Sequence, residues 1–336
     1  MGYEIIVGDC IDSLRAMADQ SINTCVTSPP YFGLRDYGVD GQLGLESTPD
    51  EYVAKIVEVF REVRRVLRDD GTLWLNIGDS YANVGKWGGG TSGKHAKALH
   101  GVQQSSGRVR DTSDGLLSAG YKQKDLIGIP WMLAFALRAD GWYLRQDIIW
   151  HKPNVMPESV KDRCTKAHEY IFLLSKSPRY FFDHEAVKEP AVCDRKPGRK
   201  VKETHHYGAD NGGNTGLSSL LQRYHNGDAP TTRSRRSVWS VPPVPFKGAH
   251  FATFPPALIE PCVLAGCPAG GVVLDPFGGC GTTAGVAVAH GRRAILCELN
   301  AEYAELVPAR VASIVAKYAK QSPANDNAPA PAEAVA

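Results

Sequence analysis

The chain has no run of eighteen apolar residues, so no membrane-spanning helix is expected. Its first ten residues, MGYEIIVGDC, contain neither a basic stretch nor a long apolar one, which argues against a secretory signal. Gly2 lacks the downstream Ser or Thr that a myristoylation signal needs. No two cysteines are spaced as CxxC, and several of the eight lie in apolar stretches, where a free thiol behaves as a small hydrophobe. A reduced cytoplasmic protein without structural zinc is therefore expected. Cys193, His205 and His206 find no fourth ligand at a suitable spacing, so no metal is assigned. Excess charge is also missing: 38 basic against 36 acidic side chains leave a net charge of +2. Any contact with nucleic acid would have to come from local basic patches. No internal repeat is visible.

What remains has the composition of a soluble globular protein, 43% hydrophobic and 22% charged, long enough at 336 residues for one large α/β domain with insertions or two modest domains. Strand and helix alternate. Tyr3 to Val7 reads as a strand, followed by Gly8-Asp9 and a helix from about Ile11 to Ala18, with Asp9 as a natural N-cap. Ile22 to Thr27 is apolar and β-branched, a buried strand. Thr48-Pro49-Asp50-Glu51 opens a helix that carries Val53, Ile56, Val57, Phe60, Val63 and Leu67 on one face. Asp69-Asp70-Gly71 ends it, and Thr72 to Ile77 is the next strand. Such repetition predicts a parallel sheet.

Two stretches break the pattern. Val84 to Tyr121 is rich in Gly, Ser, Lys and Arg, and is expected to form a long mobile insertion. A helix from about Lys124 to Ala139, bent near Pro130, and strands Trp142 to Trp150 and Glu169 to Ser175 restore order. Asp183 to Ser240 is again irregular and carries Arg195, Lys196, Arg199, Lys200, Arg233, Arg235 and Arg236, side chains suited to gripping phosphates. The tail from about residue 321, rich in Ala and Pro, is expected to be disordered.

Two motifs carry the chemistry. Ser28-Pro29-Pro30-Tyr31 stops its strand at two residues that cannot continue it, because proline has no N–H and a fixed φ. A hydroxyl, a free carbonyl and an aromatic ring stand together at a strand's carboxyl end, where open α/β sheets bind ligands. Far along the chain, Val272 to Leu274 runs into Asp275-Pro276-Phe277-Gly278-Gly279-Cys280-Gly281-Thr282-Thr283, a helix and a strand ending at Glu298. Glycines at the first turn and an acid after the second strand suit a nucleoside, the acid accepting the ribose hydroxyls. An acid at Asp275 opposes a pyrophosphate but suits the ammonium of a methionine, so S-adenosylmethionine is expected rather than NAD. Cys280 reads as a small filler.

TSPPY followed by DPFGGCGTT resembles the β-class, circularly permuted DNA amino-methyltransferases of restriction–modification type, which act on cytosine N4 or adenine N6. Trp150-His151-Lys152-Pro153-Asn154, Arg163…His168-Glu169 with Lys176, and His250-Phe251-Ala252-Thr253-Phe254-Pro255 resemble further segments of that family. The resemblance implies a class I methyltransferase fold: a Rossmann-like, seven-stranded, mostly parallel sheet whose first two strands lie at the C-terminal end of the chain. Residues 1–183 would form its catalytic part, 184–240 a target-recognition insertion and 241–320 the cofactor-binding part. Asp9, Phe254, Asp275, Phe277, Gly279, Gly281, Thr282, Thr283 and Glu298 would hold the cofactor. Asp79 would line the same cleft. Ser28, Pro29, Pro30 and Tyr31 would act on a flipped-out base, with Lys152 and the arginines and lysines of the insertion on DNA. The first two of these would orient an amine whose lone pair is conjugated into the ring, and Tyr31 would stack on the base. A Ser at the head of the motif resembles cytosine-N4 enzymes; adenine N6 stays open, as does a DNA-binding protein without catalysis. Double-stranded DNA is the implied partner, and a homodimer and a cognate restriction endonuclease are compatible with the family.

Overall fold

A computed structural model describes residues 2–34, 38–82, 113–155, 157–191, 231–244 and 254–321. The chain divides into two compact units, 1–183 with 237–336, and 184–236.

The first unit is built on an eight-stranded sheet. Its strands are β1 (Tyr3–Val7), β2 (Ile22–Thr27), β3 (Leu67–Ile77), β4 (Tyr143–His151), β5 (His168–Ser175), β8 (Val238–Ser240), β9 (Val272–Asp275) and β10 (Arg293–Glu298). The order is β1-β10-β9-β2-β3-β5-β4-β8, and β5 alone runs against the rest. All seven expected strands are present, and Val238–Ser240 adds an eighth beside β4. Those residues were expected to close the insertion, but at three residues the strand is too short for alternation to reveal it. Central strands covered on both faces read as continuous apolar runs: the last seven residues of β3 are all buried.

Helices α1 (Cys10–Arg15), α2 (Pro49–Val66), α3 (Ser113–Ser118), α4 (Ile129–Ala139), α5 (Pro256–Gly266), α6 (Thr282–Ala289) and α7 (Ala301–Gln321) pack around the sheet. In α2 the Thr48 hydroxyl accepts from Glu51 N–H at 3.2 Å, and Pro49 stands in the first turn, as expected. Its buried face, with Tyr52, Ile56, Phe60 and Val63, meets α1 and α4.

Several boundaries differ from the expectations. Strand β3 begins at Leu67, running through Asp69-Asp70-Gly71, because Ile22 of β2 pairs with Leu67 ahead of the acidic residues. Helix α1 stops at Arg15. Helix α3 lies inside the stretch expected to be irregular, anchored by the buried Leu116; one turn and a half is too short for periodicity to show. Helix α4 starts at Ile129, so Pro130 stands in its first turn and does not bend its middle. Gly128, at φ 86°, has no side chain to cap it. Asp79 supplies the cap from the end of β3: its Oδ1 accepts from Gly128 N–H at 3.0 Å and Ile129 N–H at 3.1 Å.

The second unit holds a short helical turn, Glu185–Val187, and the antiparallel pair β6 (Glu189–Pro190) and β7 (Thr232–Arg233). Arg195, Lys196, Arg199 and Lys200 lie outside the described residues, as do Cys193, His205, His206, His250, residues 83–112 and the tail after Gln321.

Because Asp79 satisfies two otherwise orphaned donors of α4, Asp79→Ala is expected to cost about 1–2 kcal/mol. A chemical denaturation midpoint that does not fall would refute this capping role.

Candidate active site

In the sheet, β9 leads through β10 towards β1 on one side, and β2 leads to β3 on the other. The gap between β9 and β2 is thus the switch point, where the carboxyl ends of parallel strands leave a crevice. Asp9, Ser28, Asp79, Asp275 and Glu298 all stand at that edge because their strands run the same way. Glu169, at the start of the reversed β5, arrives there too.

Asp9, Phe277, Gly279 and Glu298 line one cleft together with Ser28, Pro29, Pro30 and Tyr31. Glu298 ties the wall together: its Oε2 accepts from Gly279 N–H at 2.7 Å and its Oε1 from Asn300 N–H at 2.8 Å. Burial pushes its carboxyl pKa upward, opposed by these two donors. Asp9 caps α1, its Oδ1 accepting from Ile11 N–H at 2.8 Å and Asp12 N–H at 3.1 Å, while the residue also lines the cleft. Gly281, at φ 87°, lets α6 approach α7, since a Cβ there would stand 2.6 Å from Val307.

Asp275 takes a different place from the one expected. It is buried beneath the cleft, where its Oδ1 accepts from Thr27 Oγ1 at 2.6 Å and Phe277 N–H at 3.1 Å, and its Oδ2 from Thr283 Oγ1 at 2.6 Å. Burial raises its carboxyl pKa, and the three donors counter that rise. The carboxylate organises the turn and does not line the cleft. Thr282 and Thr283 are buried with it, and no side chain caps α6, whose N-cap is Gly281. Phe254, half-buried just before α5, does not line the cleft among the described residues. Asp79 is likewise drawn off, to cap α4.

The cleft fits S-adenosylmethionine on its donor set. Two carboxylates, Asp9 and Glu298, stand at neighbouring strand ends, Pro276, Phe277 and Leu299 supply apolar surface, and no Lys or Arg is among the described lining residues. A cationic sulfonium with a nucleoside suits that wall; a pyrophosphate would find no counter-charge. The cysteines here are not nucleophiles: burial holds the Cys10 and Cys297 thiols up to about 12 and raises that of Cys280.

On the opposite wall the Pro-Pro turn is held from three sides. Tyr52 Oη–H, from the buried face of α2, donates to Pro30 O at 2.7 Å. The carbonyl of Pro30 is thus structural. Tyr31 Oη–H donates to Glu169 Oε2 at 2.8 Å. Burial, then the Glu169 charge, raises the Tyr31 pKa well above its ordinary value, so it stays a phenol. The ring rests on Gly78, where a Cβ would meet Tyr31 Cε2 at 2.7 Å. Glu169 in turn receives Asn76 Nδ2 at 3.3 Å and pairs with Lys152, whose ammonium lies 4.2 Å from the centroid of the Trp150 ring.

Lys152, expected on DNA, is thus engaged inside the site. Lys166, not singled out in the sequence, lies close enough to Asp79 and Glu169 for both charges to hold up its pKa, although burial lowers it overall. In the second unit Arg233 pairs with Glu189 at 2.8 Å, Arg236 lies 3.9 Å from the same carboxylate, and Arg235 donates to Val187 O at 3.3 Å. Tyr52, Asn76, Gly78 and Asn300 were missed. A buried Asn within the apolar TLWLNI and a Tyr on the apolar face of α2 each needed a polar partner, and that need was the available signal.

A model of the DNA methylase family of N6/N4 type matches residues 22–308. The type II methyltransferase M.SmaI of Serratia marcescens is 45% identical over 309 residues, covering 92% of this chain and 90% of its own. M.Cfr9I of Citrobacter freundii is 44% identical over 310 residues, covering 92% and 88%. Among solved structures, a DNA modification methylase of Thermus thermophilus complexed with S-adenosyl-L-methionine superposes with a TM-score of 0.54 at 24% identity, covering 93% of this chain and 96% of that one. A strand order made for a ligand at the β9–β2 gap, a cationic-nucleoside cleft and a family match across most of the chain agree: the protein belongs to the N6/N4 DNA methylases and is a DNA methyltransferase that uses S-adenosylmethionine.

Proposed function

We propose that the enzyme methylates the N4 amine of a cytosine flipped out of duplex DNA at a specific site. The observation that carries this reading is that Ser28 and Pro29, just past the carboxyl end of β2, line the same cleft as Asp9 and Glu298. The Ser28 hydroxyl oxygen has lone pairs that can accept from a donor entering that cleft. An exocyclic amine is such a donor. Its lone pair is conjugated into the ring, and hydrogen bonds from its two protons to Ser28 Oγ and the Pro29 carbonyl turn that lone pair out of the ring. Pro29 is buried and its φ is fixed, while Tyr52 immobilises the next carbonyl, so the acceptors are placed before the base arrives. The bound cofactor supplies an electrophilic methyl group. Asp9 and Glu298 hold its nucleoside, and the apolar wall excludes water.

The target amine is out of reach inside a duplex, so the base is unstacked at a cost of a few kcal/mol and received against Tyr31. We assign target recognition to residues 184–240, closure over DNA to 84–121, and the role of cellular counterpart to a restriction endonuclease of the same specificity.

Digesting DNA treated with the enzyme and labelled cofactor to nucleosides, then weighing the product, is expected to give N4-methylcytosine; N6-methyladenine would reverse the assignment of the base. Ser28→Ala is expected to lower turnover roughly ten- to a thousandfold, as deleted preorganised contacts do, with cofactor affinity nearly unchanged. Full turnover in that variant would remove the chemistry from Ser28. Asp275→Ala strands two buried hydroxyls and an N–H, so thermal stability and cofactor affinity should fall together, stability by on the order of 2–3 kcal/mol. Calorimetry showing weaker binding at unchanged stability would instead mark a direct contact with the cofactor.

A further inference from the structure

Tyr31 lines the cleft beside Ser28 and Pro29. Its Oη–H donates at 2.8 Å to Glu169 Oε2, and Glu169 is not among the described residues of that lining. The same carboxylate oxygen accepts from Asn76 Nδ2 at 3.3 Å, and that amide also donates to Tyr170 O at 3.0 Å, across the pairing of β3 with β5. Glu169 Oε1 is paired with Lys152, whose own N–H donates to Ala167 O at 2.8 Å and so extends the pairing of β4 with β5. The Lys152 ammonium is steadied in turn by the Trp150 ring, 4.2 Å from its centroid. Three neighbouring strands thus act on one phenol oxygen.

A ring that only filled space would need none of these contacts. Gly78 already leaves room for it, since a Cβ there would stand 2.7 Å from Tyr31 Cε2, and a phenylalanine would occupy the same space. Drawing a carboxylate and an ammonium largely out of water costs free energy that their attraction only partly offsets. What the pair does supply is a fixed direction for the phenol. We propose that Glu169, with Lys152 and Asn76 behind it, is a positioning residue for the target base: by holding Tyr31 Oη, it fixes the ring on which the base is received before the base arrives. This rests on the reading that the flipped base stacks on Tyr31.

The physical reason is conformational entropy. The backbone of the turn is already still, because Pro29 and Pro30 have a fixed φ and Tyr52 holds Pro30 O at 2.7 Å. The Tyr31 side chain still turns about two bonds, and the contact at its oxygen removes that freedom at the far end of the ring. A base that stacks on a loose ring must also order it, which weakens binding; a base that meets a fixed ring does not. Burial, then the Glu169 charge, holds the phenol protonated, so the donor persists at neutral pH. Glu169, Lys152 and Asn76 touch no substrate atom in this scheme, and Tyr31 alone carries their effect.

The test compares two duplexes carrying the sequence that the enzyme methylates, one intact and one with an abasic site in place of the target base. Both are bound in the presence of S-adenosylhomocysteine, so that no turnover occurs. The ratio of the two affinities isolates the contribution of the base, because a loss of folding or of phosphate contacts weakens both alike and cancels. Tyr31→Phe keeps the ring and removes its anchor. It is expected to lower the ratio roughly three- to tenfold, the size of one side chain's ordering cost, with abasic affinity and melting temperature nearly unchanged. Glu169→Ala should lower the ratio as far, and Glu169→Gln, which retains an acceptor for the phenol, should restore most of it. Joining Tyr31→Phe to Glu169→Ala should cost no more than either alone. An unchanged ratio in Tyr31→Phe would overturn the positioning role, as would equal losses on both duplexes or losses that add in the double variant. Tyr31→Ala separates this outcome from failure of the reading beneath it. A ratio that falls in Tyr31→Ala but not in Tyr31→Phe defeats the anchor and leaves the platform; a ratio unchanged in Tyr31→Ala removes Tyr31 from the base altogether.

Discussion

One buried carboxylate sets the geometry on which the rest depends. Asp275 is reached by Thr27, 248 residues earlier in the chain, and by Thr283 in the helix that follows it. Those two contacts lock β2 to β9 and the glycine turn to α6 at the point where the sheet changes direction. Burying an acid is costly unless its oxygens are met, and three donors within 3.1 Å meet them. The Pro-Pro turn begins one residue after Thr27. The Pro-Pro turn, through Thr27 at Oδ1, and the glycine turn, through Phe277 at the same oxygen and Thr283 at Oδ2, are therefore fixed to one side chain.

The second wall follows from the first by packing. Ser28 to Tyr31 leave the sheet as a rigid turn, and α2 arrives over it with Tyr52 to take the carbonyl of Pro30. The reversed strand β5 delivers Glu169 to the same edge only because it runs against its neighbours; a parallel strand would present its carboxyl end there instead. The single reversal in the sheet thus brings an acid to Tyr31, and β4 beside it brings Lys152 to that acid.

Much of this was legible in the residues. Seven strands, the capped start of α2, the N-cap at Asp9 and the juxtaposition of SPPY with the glycine turn all follow from local chemistry that the tertiary structure leaves undisturbed. The misreadings have a common physical origin. Asp275 and Asp79 each carry a carboxylate expected at the cleft, and in each case backbone donors or hydroxyls from other segments claim it. Sequence reasoning registers that a carboxylate stands at a strand end; it does not register which orphaned N–H has arrived there. Val238–Ser240 and Ser113–Ser118 were missed for a simpler reason: neither is long enough to complete the period by which such elements are recognised.

The pairing of β1 has a consequence for how the molecule is made. β1 finds its hydrogen-bonding neighbour in β10, nearly 300 residues later in the chain, and the β2 edge waits for β9. Contacts this distant in the chain are slow to form, and strand edges left waiting are exposed to wrong partners. On the ribosome β2, α2, β3 and β5 are made well before β9 and β10, the strands that carry the glycine turn and Glu298 to the cleft. A nascent or truncated chain can thus gather the Pro-Pro turn, Tyr52 and Glu169 while lacking the glycine turn and Glu298 that complete the cleft. The sheet is completed only when β9 and β10, late in the chain, pair with β2 and β1.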